Sequence, residues 1–99
     1  MSIKNIGIIG SGIMGSGIAQ VSAAAGYNIV IQDISEEALE RAGAGIKASL
    51  EKFAGKGKIT PEEAEAALGR IQYTTDLKKV CENADLIVEA VFENLEINT

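Results

Sequence analysis

Residues 6–20 read IGIIGSGIMGSGIAQ, an apolar run broken by four glycines, Gly10, Gly12, Gly15 and Gly17, before an amphipathic segment begins. Glycine within a helix costs about 1 kcal/mol against alanine, so this density marks places where a side chain would be in the way. Upstream, the residues from Ile3 to Ile9 are rich in isoleucine and end at Gly10, the pattern of a strand buried on both faces of a parallel sheet. Downstream the period becomes helical. Ile13, Met14, Ile18, Val21 and Ala25 fall to one side, which predicts that this is the buried face, and Gly26 is placed to cap the end.

A strand, a tight glycine turn and a helix N-terminus together make an anion site, because the first amides of the helix are free and its dipole is positive there. The turn of a mononucleotide-binding β-α-β unit must be sharp, must admit a pyrophosphate against bare backbone, and must let the helix lie close on the strand. Gly10, Gly12 and Gly15 supply one glycine for each of these tasks, with Ser11, Ile13 and Met14 completing the phosphate-binding turn. Gly17 has no place in that scheme and is expected to face a neighbouring strand or helix.

Tyr27 to Gln32 forms a second strand that ends at Asp33, 18 residues after Gly15. A carboxylate there can accept hydrogen bonds from both ribose hydroxyls of a dinucleotide. It would repel the additional 2′-phosphate of NADP, and Ile34 and Ser35 offer no arginine to offset it, so the preferred cofactor is NAD. The competing role for Asp33, capping the next helix, is already filled by Ser35.

That helix, SEEALERAGAGIKASLEKFAGKGK, has acidic residues in its first turn, lysines in its last, and Gly43 and Gly45 weakening its middle. TPEEAEAALG predicts a short helix with Thr60 as cap, Pro61 at the first position, Glu63 closing a capping box and Gly69 stopping it. Ile71 to Thr74 is a third strand near an edge, DLKKVCENA a brief helical connection, DLIVEAVFE a fourth strand, and NLEINT the opening of another helix. Strands alternating with helices imply an α/β, Rossmann-type parallel sheet with helices on both faces, here with four strands in the order 3-2-1-4. Glu89, inside an apolar strand, needs a partner. With no fifth strand, residues 86–92 would leave an open apolar edge, which predicts a homodimer pairing fourth strands antiparallel.

Composition narrows the function classes. Ninety-nine residues with 46% hydrophobic content suffice for one core. No apolar stretch is long enough for a membrane span, and Met1 to Asn5 resembles no targeting leader, so a cytoplasmic location is the default. One cysteine excludes an internal disulfide, and without histidine or a cysteine cluster no metal site is expected. Cys81 reads as a small half-buried apolar residue. A net charge of −5 argues against nucleic acid as partner.

GSGIMGSGIAQ, the strand ending at Asp33, KGKIT and ADLIVEAVFENLE occur together and in this order. They closely resemble the N-terminal part of the 3-hydroxyacyl-CoA dehydrogenases of fatty-acid metabolism, over the whole chain and most specifically at EAVFEN. The resemblance implies that residues 1–99 are the N-terminal part of an NAD-binding domain, with catalytic and dimerisation segments lying beyond Thr99. It implies cofactor contacts from Ala90 and Val91 at the end of the fourth strand and from Glu93 on the nicotinamide side. A family lysine that touches the cofactor is matched here by Asn98. The acyl-CoA substrate of the full enzyme would be contacted through Ser49 and Lys56, in a stretch where Lys47, Lys52, Lys56 and Lys58 form a basic patch suited to phosphates.

The reaction implied is hydride transfer from C3 of an L-3-hydroxyacyl-CoA to NAD while a histidine takes the hydroxyl proton. This chain has no histidine, so it is expected to be a fragment or truncation, inactive alone, with no catalytic residue of its own. Three alternatives share its early features. A free-standing dinucleotide-binding module would bind ADP-ribose compounds but not acyl-CoA. A methyltransferase would prefer S-adenosylmethionine. A dehydrogenase of a related non-CoA hydroxy acid would share the N-terminal pattern.

Overall fold

The structure, a computed structural model of the chain, describes residues 3–90. Eight elements follow one another: β1 (Asn5–Ile9), α1 (Ile13–Ala24), β2 (Asn28–Gln32), α2 (Glu36–Gly55), α3 (Pro61–Gly69), β3 (Ile71–Thr74), α4 (Leu77–Glu82) and β4 (Leu86–Glu89). The four strands pair in parallel in the order β3-β2-β1-β4, as the sequence predicts.

Alternation along the strands divides the sheet into two unlike faces. Register places Ile71, Ile29, Ile6 and Leu86 in one row, with Tyr73, Ile31, Ile8 and Val88 in the next, all on the face toward α1, α2 and α3. Ile8, Ile29 and Ile31 are fully buried there, each contributing about 1.5–3 kcal/mol relative to exposure. The other face carries Gln72, Val30, Gly7 and Ile87, then Thr74, Gln32, Ile9 and Glu89, and among the described helices only α4 packs on it. Gly7 is the contact point. A Cβ on it would lie 2.7 Å from the carbonyl oxygen of Val80, so α4 approaches β1 as closely as it does because the side chain is missing. Helices do flank both faces, but unevenly.

Helix α1 buries the opposite side from the one its large residues suggest. Gly15, Ala19 and Ala23, spaced by four, form its buried stripe, while Ile13, Met14 and Val21 are exposed and Ile18 is half-buried. Large side chains would hold the helix away from β1, whereas small ones let it close down on Ile8. Ala25 is also exposed, and Gly26, at φ +108°, makes the left-handed turn expected after the helix. Arg70 at the start of β3 donates to the Ala23 carbonyl at 2.7 Å and so satisfies an end-of-helix acceptor.

Ser35 caps α2, its hydroxyl accepting from the Ala38 amide at 3.1 Å. Leu39, Ala42, Ile46 and Leu50 then bury one stripe of the helix. Gly43 does not break it. Its missing side chain leaves room for the Tyr73 ring, which a Cβ would meet at 3.4 Å. The α3 capping box forms as predicted, with Thr60 accepting from the Glu63 amide at 3.0 Å and Glu63 from the Thr60 amide at 2.8 Å. Gly69, by contrast, remains inside α3, which is capped at Arg70.

Two side chains are more exposed than their neighbours in sequence suggested. Cys81 lies on the outer side of a helix one and a half turns long and is exposed, not half-buried. Glu89 stands on a strand that is outermost among those described, and is exposed there. The NLEINT segment lies outside the described residues.

Candidate functional site

The carboxyl ends of β1, β2 and β4 meet at the glycine turn. Gly10 has φ +105°, a left-handed conformation that disfavours any side chain, and its amide donates to the Gln32 carbonyl at 2.7 Å. Gly12 is the N-cap of α1, and no side chain caps the first turn. The leading amides of α1 therefore face outward without an internal side-chain acceptor, and no acidic residue stands among them. A Cβ on Gly12 would meet nothing within 4 Å, so the protein's own packing does not require glycine there. On Gly15 a Cβ would run into the Gly10 carbonyl group, so this glycine is required by the close fold of helix on turn. Ile13 and Met14 present both their amides and their exposed side chains at the rim.

Asp33 fastens this turn to the end of β2. Its Oδ2 accepts from the Ser11 amide at 3.0 Å and the Ser11 hydroxyl at 2.7 Å, and its Oδ1 from the Ser35 amide at 3.1 Å. Partial burial pushes the carboxyl up, but the Ser11 hydroxyl and the amides of Ser35, Ser11 and Ile34 together outweigh it and hold the group below its ordinary value. Ser11 is itself buried, and its carbonyl accepts from the Ser16 hydroxyl at 3.0 Å. A carboxylate has about four lone-pair sites. The two Ser11 donors fill Oδ2, so a ligand's donor is left to share Oδ1 with the backbone amide of Ser35. Sequence reasoning had the carboxylate accept from both ribose hydroxyls and missed the Ser11 bond; a serine between two turn glycines, with an aspartate ending the adjacent strand, was its only signal.

Ala90 is buried beside the end of β1, its amide donating to the Ile9 carbonyl at 2.8 Å. Val91, Glu93 and Asn98 lie outside the described residues. Ser49 and Lys56 sit farther along α2, two turns apart. The Ser49 hydroxyl accepts from Gln20 of α1 at 2.8 Å, and Lys56 is exposed at the helix end. Gly17 does not face a neighbouring strand or helix: it is exposed, and a Cβ there would meet nothing within 4 Å. Among the described residues no cluster of three metal-ligating side chains occurs, and no helix is long and apolar enough to cross a membrane.

A pyrophosphate suits the open space at Gly12 and the uncapped amides behind it, and a ribose suits the remaining acceptor of Asp33. The fold and this turn define a dinucleotide-binding half of a Rossmann-type sheet. Residues 5–99 match the family described as 3-hydroxyacyl-CoA dehydrogenase, NAD binding domain, and the chain belongs to that family. It is 47% identical over 91 residues to a probable 3-hydroxybutyryl-CoA dehydrogenase of Deinococcus radiodurans, covering 92% of this chain and 32% of that protein. It is 40% identical over 102 residues to the mitochondrial hydroxyacyl-coenzyme A dehydrogenase of Sus scrofa, covering 98% of this chain and 32% of the pig protein. The crystal structure of 3-hydroxybutyryl-CoA dehydrogenase from Escherichia coli K12 superposes with a TM-score of 0.89 at 42% identity, over 98% of this chain and 20% of that one. The chain thus spans about a third or less of the length of these relatives, and its cofactor is NAD.

Proposed function

We infer that the chain supplies the NAD site of an L-3-hydroxyacyl-CoA dehydrogenase, residues 1–99 being the N-terminal part of its NAD-binding domain. The observation that carries this reading is the glycine turn, where Gly12 is free of any internal packing duty yet stands at the uncapped N-terminus of α1. Gly10, Ser11, Gly12, Ile13, Met14 and Gly15 form the pyrophosphate cradle, and Asp33 receives the adenosine ribose. Ala90, with Val91, Glu93 and Asn98 beyond it, lines the nicotinamide side. Held there, NAD would supply the acceptor for the hydride on C3 of the substrate. This chain's residues hold the dinucleotide and keep the phosphates on backbone donors, whereas proton transfer requires a group that titrates near neutrality, which no residue of the cradle provides.

Ser49 and Lys56 contact the CoA portion of the substrate in this reading. The protein is cytoplasmic and a homodimer, and binds neither nucleic acid nor membrane. Calorimetry with NAD and NADP tests the core of the proposal. NAD should bind more tightly than NADP, Asp33→Ala should erase the difference, and Gly12→Val should abolish NAD binding while circular dichroism stays native. Equal affinity for both cofactors, or a Gly12→Val variant that still binds, would refute it. Fractionation of the native protein checks its location, since several of the relatives are mitochondrial.

A further inference from the structure

Ser11 has two donors, and both point inward. Its amide and its hydroxyl end on the same oxygen of Asp33, Oδ2, at 3.0 and 2.7 Å, so neither is left to meet a phosphate on the turn that Ser11 belongs to. The side chain is buried. The turn is tied down without that hydroxyl: the Gly10 amide reaches the Gln32 carbonyl at 2.7 Å, and the Ser16 hydroxyl reaches the Ser11 carbonyl at 3.0 Å. The backbone at Asp33 is fixed as well, its amide donating to the Thr74 carbonyl at 3.2 Å. With both chain segments held through their main chains, what remains for the Ser11 hydroxyl to restrain is the carboxylate itself.

An aspartate side chain turns about two bonds, and at a partly exposed strand end it would ordinarily sample several orientations. Here Ser11 holds Oδ2 from one side and the Ser35 amide holds Oδ1 at 3.1 Å from the other, so turning the carboxylate breaks three bonds at once. The hydroxyl bond is the shortest of the three, and hydrogen bonds to a charged acceptor are about twice as strong as neutral ones. Selectivity is a difference between the affinities of two ligands, and a charge that is locked in place rejects an anion that a mobile one would swing away from. A ribose hydroxyl can donate to Oδ1, whereas a phosphate in its place brings negative charge against it. We propose that Ser11 is a positioning residue for the choice of cofactor: its hydroxyl locks the Asp33 carboxylate in the orientation that meets the adenosine ribose, so that a 2′-phosphate cannot push it aside. This rests on the reading of the site as an NAD site, and gives Ser11 a part in specificity that acts through Asp33 alone.

The ratio of NAD to NADP affinity, measured by calorimetry in each variant, tests this. Ser11→Ala should lower the ratio about fivefold, the effect of one net hydrogen bond, while circular dichroism stays native. Ser11→Thr keeps the hydroxyl and should keep the wild-type ratio. Ser16→Ala loosens the same turn without touching Asp33, so it should lower the melting temperature and leave the ratio unchanged. In an Asp33→Ala background, Ser11→Ala should have no further effect on the ratio. Ser11→Gly also removes the hydroxyl, and decides the matter if the alanine variant does not fold. An unchanged ratio in Ser11→Ala, an equal fall in Ser16→Ala, a folded Ser11→Thr that behaves like the alanine variant, or a further change in the Asp33→Ala background would overturn the proposal. If Asp33→Ala erases the preference for NAD and Ser11→Ala does not, the proposal alone falls; if Asp33→Ala leaves the preference intact, the role given to Asp33 falls with it.

Discussion

Asp33 serves the protein before it serves any ligand. By accepting from Ser11 and Ser35 it ties the glycine turn to the start of α2, and those donors favour its charged form. The sign of the pH effect follows. An unfolded aspartate titrates near 3.9, and this one titrates lower when folded, so its stabilising contribution is complete above that value and is lost as pH falls through the folded pKa. Urea midpoints measured between about pH 6 and 3 should therefore fall more steeply for the wild type than for Asp33→Asn. Ser11→Ala, which removes the 2.7 Å hydroxyl donor, should cost about 1–2 kcal/mol near neutrality and raise the carboxyl's pKa. An unchanged pH slope in Asp33→Asn would mean that the bonds at this corner carry no net stability. The turn was legible in the sequence because each of Gly10, Gly12 and Gly15 reflects a local backbone constraint. The sharing of Asp33 with Ser11 was not, since it depends on two chain segments 22 residues apart arriving at one point.

At the scale of the elements, all eight could be read from caps, breakers and periodicity, because those signals are local: Ser35, Thr60 with Glu63, and Gly26 each act within one turn of chain. Which side of α1 faces the sheet could not be read the same way. Hydrophobic periodicity selects the largest residues, but a helix pressed against a parallel strand through Gly15 selects the smallest. The stripe Gly15, Ala19, Ala23 was present in the sequence and was outweighed by Ile13, Met14 and Val21. Substitution separates the two faces. Val21→Gln should change stability by less than about 0.5 kcal/mol, as for other surface positions. Ala19→Leu, at a position with no exposure, should cost about 1–3 kcal/mol through overpacking. Thermal or urea unfolding decides between them, and a reversed order would mean that α1 packs by its large residues after all.

For the whole molecule, the arrangement of strands leaves β3 and β4 outermost among those described. On β4, Leu86 is 43% and Ile87 41% exposed, an apolar border of a kind that proteins usually cover or charge. The antiparallel dimer of fourth strands expected from the sequence would satisfy the free backbone groups of both copies. Sedimentation over a hundredfold range of concentration should show a monomer–dimer equilibrium, and Leu86→Lys should shift it toward monomer. A strict monomer at the highest concentration would rule the dimer out.

The contact of β1 with β4 also joins the two ends of the described chain: Asp85 accepts from the Asn5 amide, 80 residues away, at 3.0 Å and from Lys4 at 2.9 Å. Closing so long a loop is entropically costly, and little is gained until the intervening elements are already folded. Strand β4 should therefore be the last to arrive and the first to leave. Its departure would strip one side of β1 while β1, β2 and the buried isoleucines under α1 and α2 remain assembled. Native-state hydrogen exchange should resolve this as two levels of protection, with the amides of β4 opening at a free energy well below that of Ile8, Ile29 and Ile31. The corner that would present Ala90 to the nicotinamide would then exist only for the fraction of time the strand is docked, and a dinucleotide bound across β1 and β4 would close that opening by its own binding energy.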